Sequence, residues 1–505
     1  MFQFMNAAEV VNQLARQNVE TRMTDEQFIV SEINRFRRSK RFHDMIAGDN
    51  YYSGKHDILH KKRTAIGDDG KLMVIENLPN NKIVDNQYRK MVNQKSNYLV
   101  GQPFVLQCEN QAYVDALKPI LLTKKFLKML KEIAKNALNG GLGWIYPFYD
   151  ENGEFTFKQF KPYEVIPLWK DADHTILDAA IRWYEVLAYE GTNEKVITKI
   201  EVFNPDGLYY FELTDGGNLI PEEPFYAPYF TVVDHEGVAQ GFNWEKIPLI
   251  PWKYNANEVP LITMCKSLQD GLNKIESQWE DQMEEDPRNT IMVLVNYDGQ
   301  NLGEFRRQLA TYGAVKVRSM DGSHGDVKTL QIQVNAENYK AIIEQFKKAI
   351  VENCMGYDAK DDRIGSNANE MNLKSMYSDI ELDTNDMETE FQSAFEELLW
   401  FINCHLANTH VGDFEGEELE IIFNRDIMVN ESDVINNIKN SVGILSDETL
   451  VAQHPWVDDP DEEMKRVKKQ KEEQIDLYGE GAFGQSSTSQ VKQNPNDKSG
   501  VNDDA

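Results

Sequence analysis

Apolar residues recur every three or four positions in three stretches of the N-terminal part of the chain, which is the spacing of one helix face. The pattern predicts a helix over 24–46, a second over 82–100, and one or two more over 112–138 with an interruption at Pro119. The stripe over 82–100 includes a lysine among its apolar members, which are Val84, Tyr88, Met91, Val92, Lys95 and Leu99.

The texture of the chain changes after Asn139. Between Gly143 and about Pro251, short runs rich in Val, Ile, Tyr, Phe and Trp alternate with turn sequences such as DENGEF, NPDG and TDGGN. Aromatic and β-branched residues favour strands, and Gly, Asn and Asp favour the turns between them. The segment is therefore predicted to form antiparallel β-structure of roughly five to eight strands.

Two amphipathic helices are predicted on either side of a short β-like segment. Apolar residues step by three or four over 261–286 and again over 335–354. The residues between them, 287–334, carry strand-like runs and Gly-containing turns. This order predicts a stalk with a small domain at its far end.

The longest helical pattern covers 370–408 and follows a polar loop at 355–369. An unbroken helix of this length would extend about 60 Å. A short strand is predicted over 419–429 and further helices over 431–478. The tail after about Tyr478 has almost no apolar residues, so we expect it to be disordered.

The composition is that of a globular protein with a strong acidic excess. The 505 residues include 83 acids and 53 bases, a formal net charge of −30. This charge argues against a protein that grips nucleic acid over its whole surface, because phosphate binding requires Lys and Arg. The four cysteines have no paired spacing, which predicts free thiols in a reducing compartment. The N-terminus lacks the order of a signal peptide and no apolar run is long enough to span a membrane, so we expect an intracellular protein or a particle component.

The negative charge is concentrated on two of the predicted helices. Residues 370–408 hold nine acids against Lys374, and residues 261–286 hold seven acids against two lysines. The insertion 287–334 is slightly basic, and 35–63 is more strongly so. An exposed helix face is the usual explanation of an acidic stripe, although a soluble monomer normally mixes lysines into it. The basic stretch and its aromatic residues fit either nucleic-acid binding or packing, and we favour packing.

No spaced catalytic or cofactor motif is found. The sequence has no phosphate-binding loop, nucleophile elbow, metalloprotease motif or kinase signature. The Gly cluster NGGLGW at 139–144 follows a helix and precedes a strand, which is the reverse of a dinucleotide site and indicates a turn. His56 and His60 have no third ligand near in sequence, and the acids of DAKDD at 358–362 have no second carboxylate motif to complete a magnesium site. We predict no enzyme activity, no cofactor and no metal.

Several short motifs together resemble one known family. They are YYSGKHDI at 51–58, NYLVGQP at 97–103, GLGWIYPFYDENGEF at 141–155, YEVIPLW at 163–169, IPLIPWKYNANE at 247–258 leading into SLQDGLNKIESQWEDQME, and HPWVDDPDEE at 454–463. Each motif alone is weak, but their order over about 50–475 resembles portal proteins of tailed double-stranded-DNA bacteriophages. The similarity is greatest to the subgroup from long-tailed siphophages of Gram-positive hosts.

The resemblance implies an α+β phage portal fold assembled as a ring around a central channel, with twelve subunits in the virion and sometimes thirteen when isolated. The wing would comprise 1–255, helical to about 140 and then β-rich. The remaining regions would be a stem helix at 256–286, a clip at 287–334, a second stem helix at 335–354, a tunnel loop at 355–370, a long wing helix at 371–408, a strand returning to the wing at 409–430, a crown at 431–478 and a disordered tail at 479–505.

The resemblance also implies a role and partners. The ring would occupy the unique capsid vertex, where the terminase motor packages double-stranded DNA that is later ejected. The expected partners are other copies of the chain, the passing DNA, the terminase large subunit, a head-completion adaptor, scaffolding protein and major capsid protein, with no membrane. The ring would nucleate procapsid assembly and take part in sensing a full head. We expect it in the virion, and in the host cytoplasm during assembly.

Candidate site residues follow from these implied regions. An acidic wall would repel DNA evenly and let it slide, whereas a basic wall would hold it by counterion release. The acidic lining candidates are Asp270, Glu276, Glu280, Asp281, Glu284 and Glu285. The tunnel-loop candidates for the DNA channel are Lys360, Asp361, Asp362, Arg363, Ser366, Asn367 and Lys374. The clip candidates for docking terminase or adaptor are Arg288, Arg306, Arg307, Lys316 and Arg318.

Two alternatives stay open on the sequence. One is a minor capsid or scaffolding protein without a channel, and the other is a metal-dependent nuclease that uses the acids at 358–362. A nuclease should show a spaced catalytic constellation, and a channel-less scaffold has no need of a stalk with an inserted tip.

Overall fold

The structure is a computed structural model. The contacts between residues divide the chain into two compact units. One unit comprises Met1–Ile364 with Lys374–Ile427, and the other comprises Gly365–Leu373 with Met428–Ala505. No helix in the described part of the chain is both long and apolar enough to cross a bilayer. Apart from a few single positions, the structure describes residues 25–66, 70–76, 78–191, 193–214, 216–233, 237–285, 291–295, 326–330, 336–358, 370–425 and 438–479.

The N-terminal part is helical, as predicted. The helices are α1 (Asp25–Arg38), α2 (Lys40–Tyr52), α3 (Gln87–Val100), α4 (Gln111–Leu121) and α5 (Lys124–Gly140).

The helix breaks in this part follow from capping side chains. The single helix predicted over 24–46 is two helices, because Ser39 caps α2 by accepting a hydrogen bond from the Phe42 backbone N–H at 3.1 Å. The interruption predicted at Pro119 is also wrong, since this proline lies inside α4. The break follows Leu121, and Thr123 caps α5 through the Phe126 N–H.

The β-region begins where α5 ends in a glycine turn. Gly141 has φ +83° and caps the helix, so NGGLGW is the turn that its helix-then-strand order predicted. The described residues between 142 and 253 form ten strands, which exceeds the five to eight predicted. They are β4 (Leu142–Tyr149), β5 (Phe155–Phe160), β6 (Val165–Trp169), β7 (Leu177–Glu190), β8 (Asn193–Asn204), β9 (Gly207–Leu213), β10 (Leu219–Ala227), β11 (Phe230–Val233), β12 (Ala239–Phe242) and β13 (Ile250–Lys253), preceded by β1 (Thr64–Ile66), β2 (Leu72–Val74) and β3 (Val105–Gln107).

All the named strands pair antiparallel. One sheet has the order β10-β9-β8-β7-β6 and a second has the order β13-β4-β5, while β11 and β12 form a separate hairpin. Helix α1 packs on the five-stranded sheet, where Ile29 and Ile33 meet Ile181 and Ile200 in one buried cluster. The alternation of apolar residues along β7 and β8 supplies that buried face.

The helices predicted at 261–286, 335–354 and 370–408 are present within one residue at each end. They are α6 (Ile262–Glu285), α7 (Ala336–Asn353) and α8 (Glu370–Asn408), and β14 (Ile291–Val295) and β15 (Asp326–Leu330) pair between α6 and α7. The strand predicted over 419–429 is the shorter β16 (Glu420–Ile422), which pairs with β3. The second unit contains α9 (Asp447–Ala452) and α10 (Pro460–Gly479).

The main core joins α8 to the second sheet and the N-terminal helices. Trp252 on β13 packs edge-on against Phe391 and Phe395 of α8, with ring centroids 5.0 and 4.7 Å apart. Trp144 on β4 is fully buried in the same cluster. Aromatic side chains of this size contribute much of a core's burial energy, so α8 is fixed against the β-region along its C-terminal half.

Candidate functional site

Helices α6 and α7 pack side by side and run in opposite directions. Cys265 and Cys354 are in side-chain contact near one end, Gly271 faces the ring of Phe346, and Tyr339 donates a hydrogen bond to Gln282 at 2.9 Å near the other. The first residues of α6 therefore pack against the last residues of α7, and the last residues of α6 pack against the first residues of α7. The two helices are therefore antiparallel, as a stalk requires, and of the predicted insertion 287–334 the structure describes β14 and β15.

One face of α6 carries a ladder of buried polar side chains that we did not predict from the sequence. The polar ladder consists of Gln269, Asn273, Ser277 and Asp281, each four residues from the next and each at most 5% exposed. Residues spaced by four lie on the same helix face, one turn apart. The sequence signal was present, as polar residues at helical spacing on the face opposite the apolar stripe.

The polar ladder binds the backbone of residues 81–88. The Asn81 N–H donates to Asp281, the Ile83 N–H to Ser277 and the Asp85 N–H to Asn273, at 2.6, 2.9 and 3.1 Å. The spacing fits because four helical residues rise about 6 Å and two extended residues rise about 6.6 Å. The ladder thus supplies the hydrogen-bond acceptors that a neighbouring strand would otherwise supply. It joins α6 to the segment before α3.

The next rung of the polar ladder repeats the pattern. Gln269 accepts from the Tyr88 N–H at 3.0 Å and donates to the Asp85 carbonyl oxygen at 2.7 Å. His56 also contacts the polar ladder. One of its ring nitrogens lies 2.7 Å from the Asn273 amide and the other lies 3.0 Å from the Tyr51 carbonyl. Burial lowers the pKa of His56. Because both ring nitrogens are engaged, His56 belongs to the packing of α6 and not to a metal site with His60.

Half of the acidic lining candidates are paired within the chain. Asp281 binds Lys61 at 2.6 Å, and Glu276 lies 3.5 Å from Lys347 on α7. Asp270 binds Lys266 at 2.9 Å and accepts a hydrogen bond from the Tyr51 hydroxyl.

The remaining lining candidates differ from these in exposure. Glu280 and Glu284 are exposed, and Glu285 ends α6 with a side chain outside the described residues. The described acids that stay on the open face of α6 are therefore Glu280 and Glu284.

The residues that leave α7 are held firmly by α3. Gln94 donates to the Tyr357 carbonyl at 2.8 Å and accepts from the Tyr357 N–H at 3.1 Å. Lys95 donates to the Met355 carbonyl at 3.1 Å. The predicted tunnel loop thus begins from a fixed point.

Lys95 also links this fixed point to α8. Its ammonium lies 2.5 Å from Asp383, whose carboxylate accepts a second hydrogen bond from the Tyr254 hydroxyl at 2.7 Å. Lys95 is 1% exposed, as its place in the apolar stripe of the α3 sequence predicts. Burial lowers the pKa of Lys95, and the nearby Asp383 carboxylate opposes that change.

Most of the tunnel-loop and clip candidates lie outside the described residues. Lys374 belongs to α8, but its side chain is not described. Asp361 and Asp362 of DAKDD lie outside the described residues, whereas Asp358 is described and lies 3.9 Å from Lys90. The candidates outside the described residues are Lys360, Asp361, Asp362, Arg363, Ser366, Asn367, Arg288, Arg306, Arg307, Lys316 and Arg318.

The acidic stripe of α8 is also partly paired. Arg425 forms ion pairs with Glu388 and with Glu381, the latter at 3.9 Å. Asp383 pairs with Lys95, as described above, and its side chain is 11% exposed. Burial raises the pKa of Glu397 to about 7. Half-buried and paired acids of this kind hold elements together, so the net charge of α8 overstates the charge it presents to solvent.

The basic stretch 35–63 contributes to the fold through several of its residues. Arg41 binds the buried Glu258 at 2.5 Å, and Lys61 binds Asp281. Tyr51 is 1% exposed and stacks on His56 with ring centroids 4.3 Å apart. These contacts agree with packing, which we favoured over nucleic-acid stacking for this stretch. Among the described residues, no group of three or more His, Cys, Asp or Glu side chains is arranged to hold a metal ion.

Comparison with known proteins gives a family match over most of the chain. Residues 37–477 match the family described as phage portal protein, SPP1 Gp6-like. The portal protein of Bacillus phage SPP1 is 29% identical over 441 residues, which cover 86% of this chain and 85% of that protein. The portal protein of Clostridium phage phiCD119 is 26% identical over 445 residues, which cover 85% of this chain and 93% of that protein.

Similar solved structures come from gene transfer agent (GTA) particles. A chain from the "Neck of empty GTA particle computed with C6 symmetry" has a TM-score of 0.41 and 12% identity, over 72% of this chain and 88% of that chain. A chain from the "Neck of native GTA particle computed with C12 symmetry" has a TM-score of 0.37 and 12% identity, over 73% and 89%.

Proposed function

The chain belongs to the SPP1 Gp6-like family of phage portal proteins, and on that premise we propose that it forms the ring-shaped channel through which double-stranded DNA enters and leaves a capsid. The observation that carries the proposal is the family match over residues 37–477. That range contains the antiparallel pair α6 and α7, the segment between them and the long helix α8. A structural role of this kind requires no catalytic group.

We assign the portal regions to the described elements as follows. Helices α6 and α7 form the stem, because they are antiparallel and carry an inserted segment at one end. The segment 287–334 is the clip, 355–370 is the tunnel loop, and α8 crosses the wing. The wing is the helical and β-rich part up to 255 with the strand region 409–430, the crown is 431–478, and 479–505 is the tail.

The channel lining of the stem is proposed to depend on Glu280 and Glu284. Asp270, Glu276 and Asp281 each lie beside a lysine of the same chain, which cancels part of their charge before DNA arrives. Lys266 and Lys347 are each shared with a second carboxylate, Asp57 and Asp85 respectively. Duplex DNA carries about one negative charge per 1.7 Å of axis, and a wall of unpaired carboxylates repels it without holding it. Repeated around a ring, two glutamates per subunit that form no ion pair with the described residues provide a non-binding surface.

The tunnel loop is proposed to contact DNA through its cations. It leaves α7 from Met355–Tyr357, which α3 holds in place through Gln94 and Lys95. Lys360, Arg363 and Lys374 are the proposed transient phosphate contacts. Replacing Lys360 and Arg363 by Ala should change DNA packaging or genome retention, and wild-type behaviour in both assays would exclude this assignment.

The partners are proposed from the family role. The basic residues of the clip, Arg288, Arg306, Arg307, Lys316 and Arg318, would dock the terminase large subunit and later a head-completion adaptor. The ring would contact scaffolding protein and major capsid protein during procapsid assembly, take part in sensing a full head, and stay at the capsid vertex of the virion. Assembly would take place in the host cytoplasm.

The ring can be tested directly by negative-stain microscopy of the purified protein. Rings of twelve or thirteen subunits with a central hole are expected. Monomers or dimers at all concentrations would contradict the proposal and favour a capsid or scaffolding protein without a channel.

A further inference from the structure

Strands β7 and β8 extend beyond the sheet that contains them. The last β7 residue paired with β6 is Arg182, and the first β8 residue paired with β9 is Thr198. Beyond these positions β7 and β8 pair only with each other, as far as Glu190 opposite Asn193. We call residues 183–190 with 193–197 the ribbon.

One face of the ribbon is apolar and exposed. Leu187 lies opposite Val196 in the register, and Tyr189 follows two residues along on the same face. These side chains are 60%, 52% and 68% exposed respectively.

Further back along β7, helices cover this same face. Ile181 is fully buried under α1, and Trp183 packs against Phe42 of α2 with ring centroids 6.1 Å apart. Among the described residues, the helical layer therefore ends near Trp183 while the apolar face of the strand continues past it. An isolated two-stranded ribbon is at best marginally stable in water, and its unpaired edges favour association. The ribbon is thus suited to being covered by another molecule.

The chain itself carries a groove with complementary chemistry. The groove has a volume of about 330 Å³, and its lining contains no acidic residue. Its lysines lie beside an apolar floor, and the lining side chains include Val100, Pro103, Phe104, Lys124, Leu127, Lys128, Leu130, Lys131 and Phe423.

The exposed ribbon face has the opposite charge pattern. Glu185 and Glu194 flank its apolar centre, and both are exposed. Lys195 lies on the other face of the ribbon, because it is adjacent to Glu194 in the strand. The apolar centre of this face fits the apolar floor of the groove. Its flanking acids carry the charge opposite to that of the groove's lysines.

We propose that the ribbon of one subunit docks in the lysine-lined groove of the next copy of this chain. Leu187, Tyr189 and Val196 enter the apolar floor, while Glu185 and Glu194 approach Lys124 and Lys128. The contact joins two different surfaces of identical chains, and such head-to-tail contacts close into rings when the rotation permits. The inference rests on the proposed ring and names one lateral contact within it.

Paired charge reversal tests the contact. We expect E185K/E194K, and separately K124E/K128E, to raise about tenfold the protein concentration at which half of the chains assemble into rings, because each disrupts two exposed ion pairs. Combining all four reversals should restore assembly to within about threefold of wild type. K195E on the opposite ribbon face is the matched control and should change assembly by less than about twofold. Mass photometry gives these concentrations, and circular dichroism checks that each variant is folded.

Three results would count against the contact. A quadruple variant no better than either double variant, with wild-type rings intact, would exclude the pairing and leave the ring standing. A photo-cross-linker at position 189 that reacts only within its own chain, for example with residues 1–24, would identify a different occupant. Absence of rings in the wild type would contradict the proposed function and the contact together.

Discussion

At the scale of single residues, Lys95 connects α3 to the end of α7 and to α8. A buried charge that loses its partner is costly, so K95M should destabilise the protein by about 3 kcal/mol by leaving Asp383 without its cation. Differential scanning calorimetry of the purified protein measures the change. K95M/D383L should recover much of the loss, because it removes both charges.

Lys90 provides the matched control for Lys95. It lies on the same helix, but it is 42% exposed and 3.9 Å from Asp358. Exposed pairs contribute about 1 kcal/mol or less, so K90M should leave the melting temperature nearly unchanged. Equal effects of K95M and K90M would show that the buried pair has no special role in stability.

Glu397 should make stability depend on pH. Burial raises its pKa to about 7 from the ordinary value of 4.5. The folded state then binds the proton more tightly than the unfolded chain, so the stabilisation is complete below about pH 4.5 and is lost as the pH rises through about 7.

The replacement E397Q removes this titration. As the pH rises from about 5 to about 8, the melting temperature of E397Q should rise relative to that of wild type. The corresponding relative change in the free energy of unfolding is at most about 3 kcal/mol. E396Q, at the exposed neighbouring position, should show no such trend. A difference between E397Q and wild type that stays constant with pH would refute the prediction.

At the scale of elements, the polar ladder on α6 sets the position of residues 81–88. N273L should leave the Asp85 N–H and one His56 ring nitrogen without partners, at a cost of about 2–4 kcal/mol. Hydrogen exchange should speed up at Ile83 and Asp85 before it does in α6 itself. K274L, at an exposed position of the same helix, is the control. An equal increase in the exchange rates of Ile83 and Asp85 in K274L would argue against the role of the ladder.

Gly271 sets the distance between the two helices of the stalk. A Cβ at this position would lie 2.8 Å from the Phe346 ring, so the helices must separate or the ring must move. G271A should therefore lower the melting temperature, although alanine favours helices by about 1 kcal/mol over glycine. G271A/F346L should restore it, because the smaller side chain frees the space. A stabilised G271A variant would show that the helices are not closely packed there.

At the scale of the whole molecule, the charge that we propose to face DNA is smaller than the charge of the sequence. E280K/E284K should convert a repelling surface into a binding one, so DNA retention by rings should increase and weaken steeply with salt. Packaging efficiency in an assembly reaction, and filter binding at several salt concentrations, measure the two effects. D281K should lower stability instead, because Asp281 is buried against Lys61. DNA binding unchanged in E280K/E284K would place these glutamates away from the channel.

The sequence predicted the long elements well because their signals are local. Helical spacing located α6, α7 and α8 within one residue, and the lysine in the α3 stripe is buried at the position its spacing gave. Breaks were less accurate, since Ser39 ended a helix that apolar spacing alone would continue. The strand number was underestimated, because short strands carry too few residues to show a period.

The sequence by itself determined the family, the long helices α6, α7 and α8, and the places where charge accumulates. Only the tertiary structure decided which charged side chains form ion pairs within the fold. Asp281 and Glu284 lie on one helix and look alike in sequence, yet one binds Lys61 and the other is exposed. The difference arises because a carboxylate's partner comes from a segment about two hundred residues away, and periodicity describes a helix face without saying what packs on it.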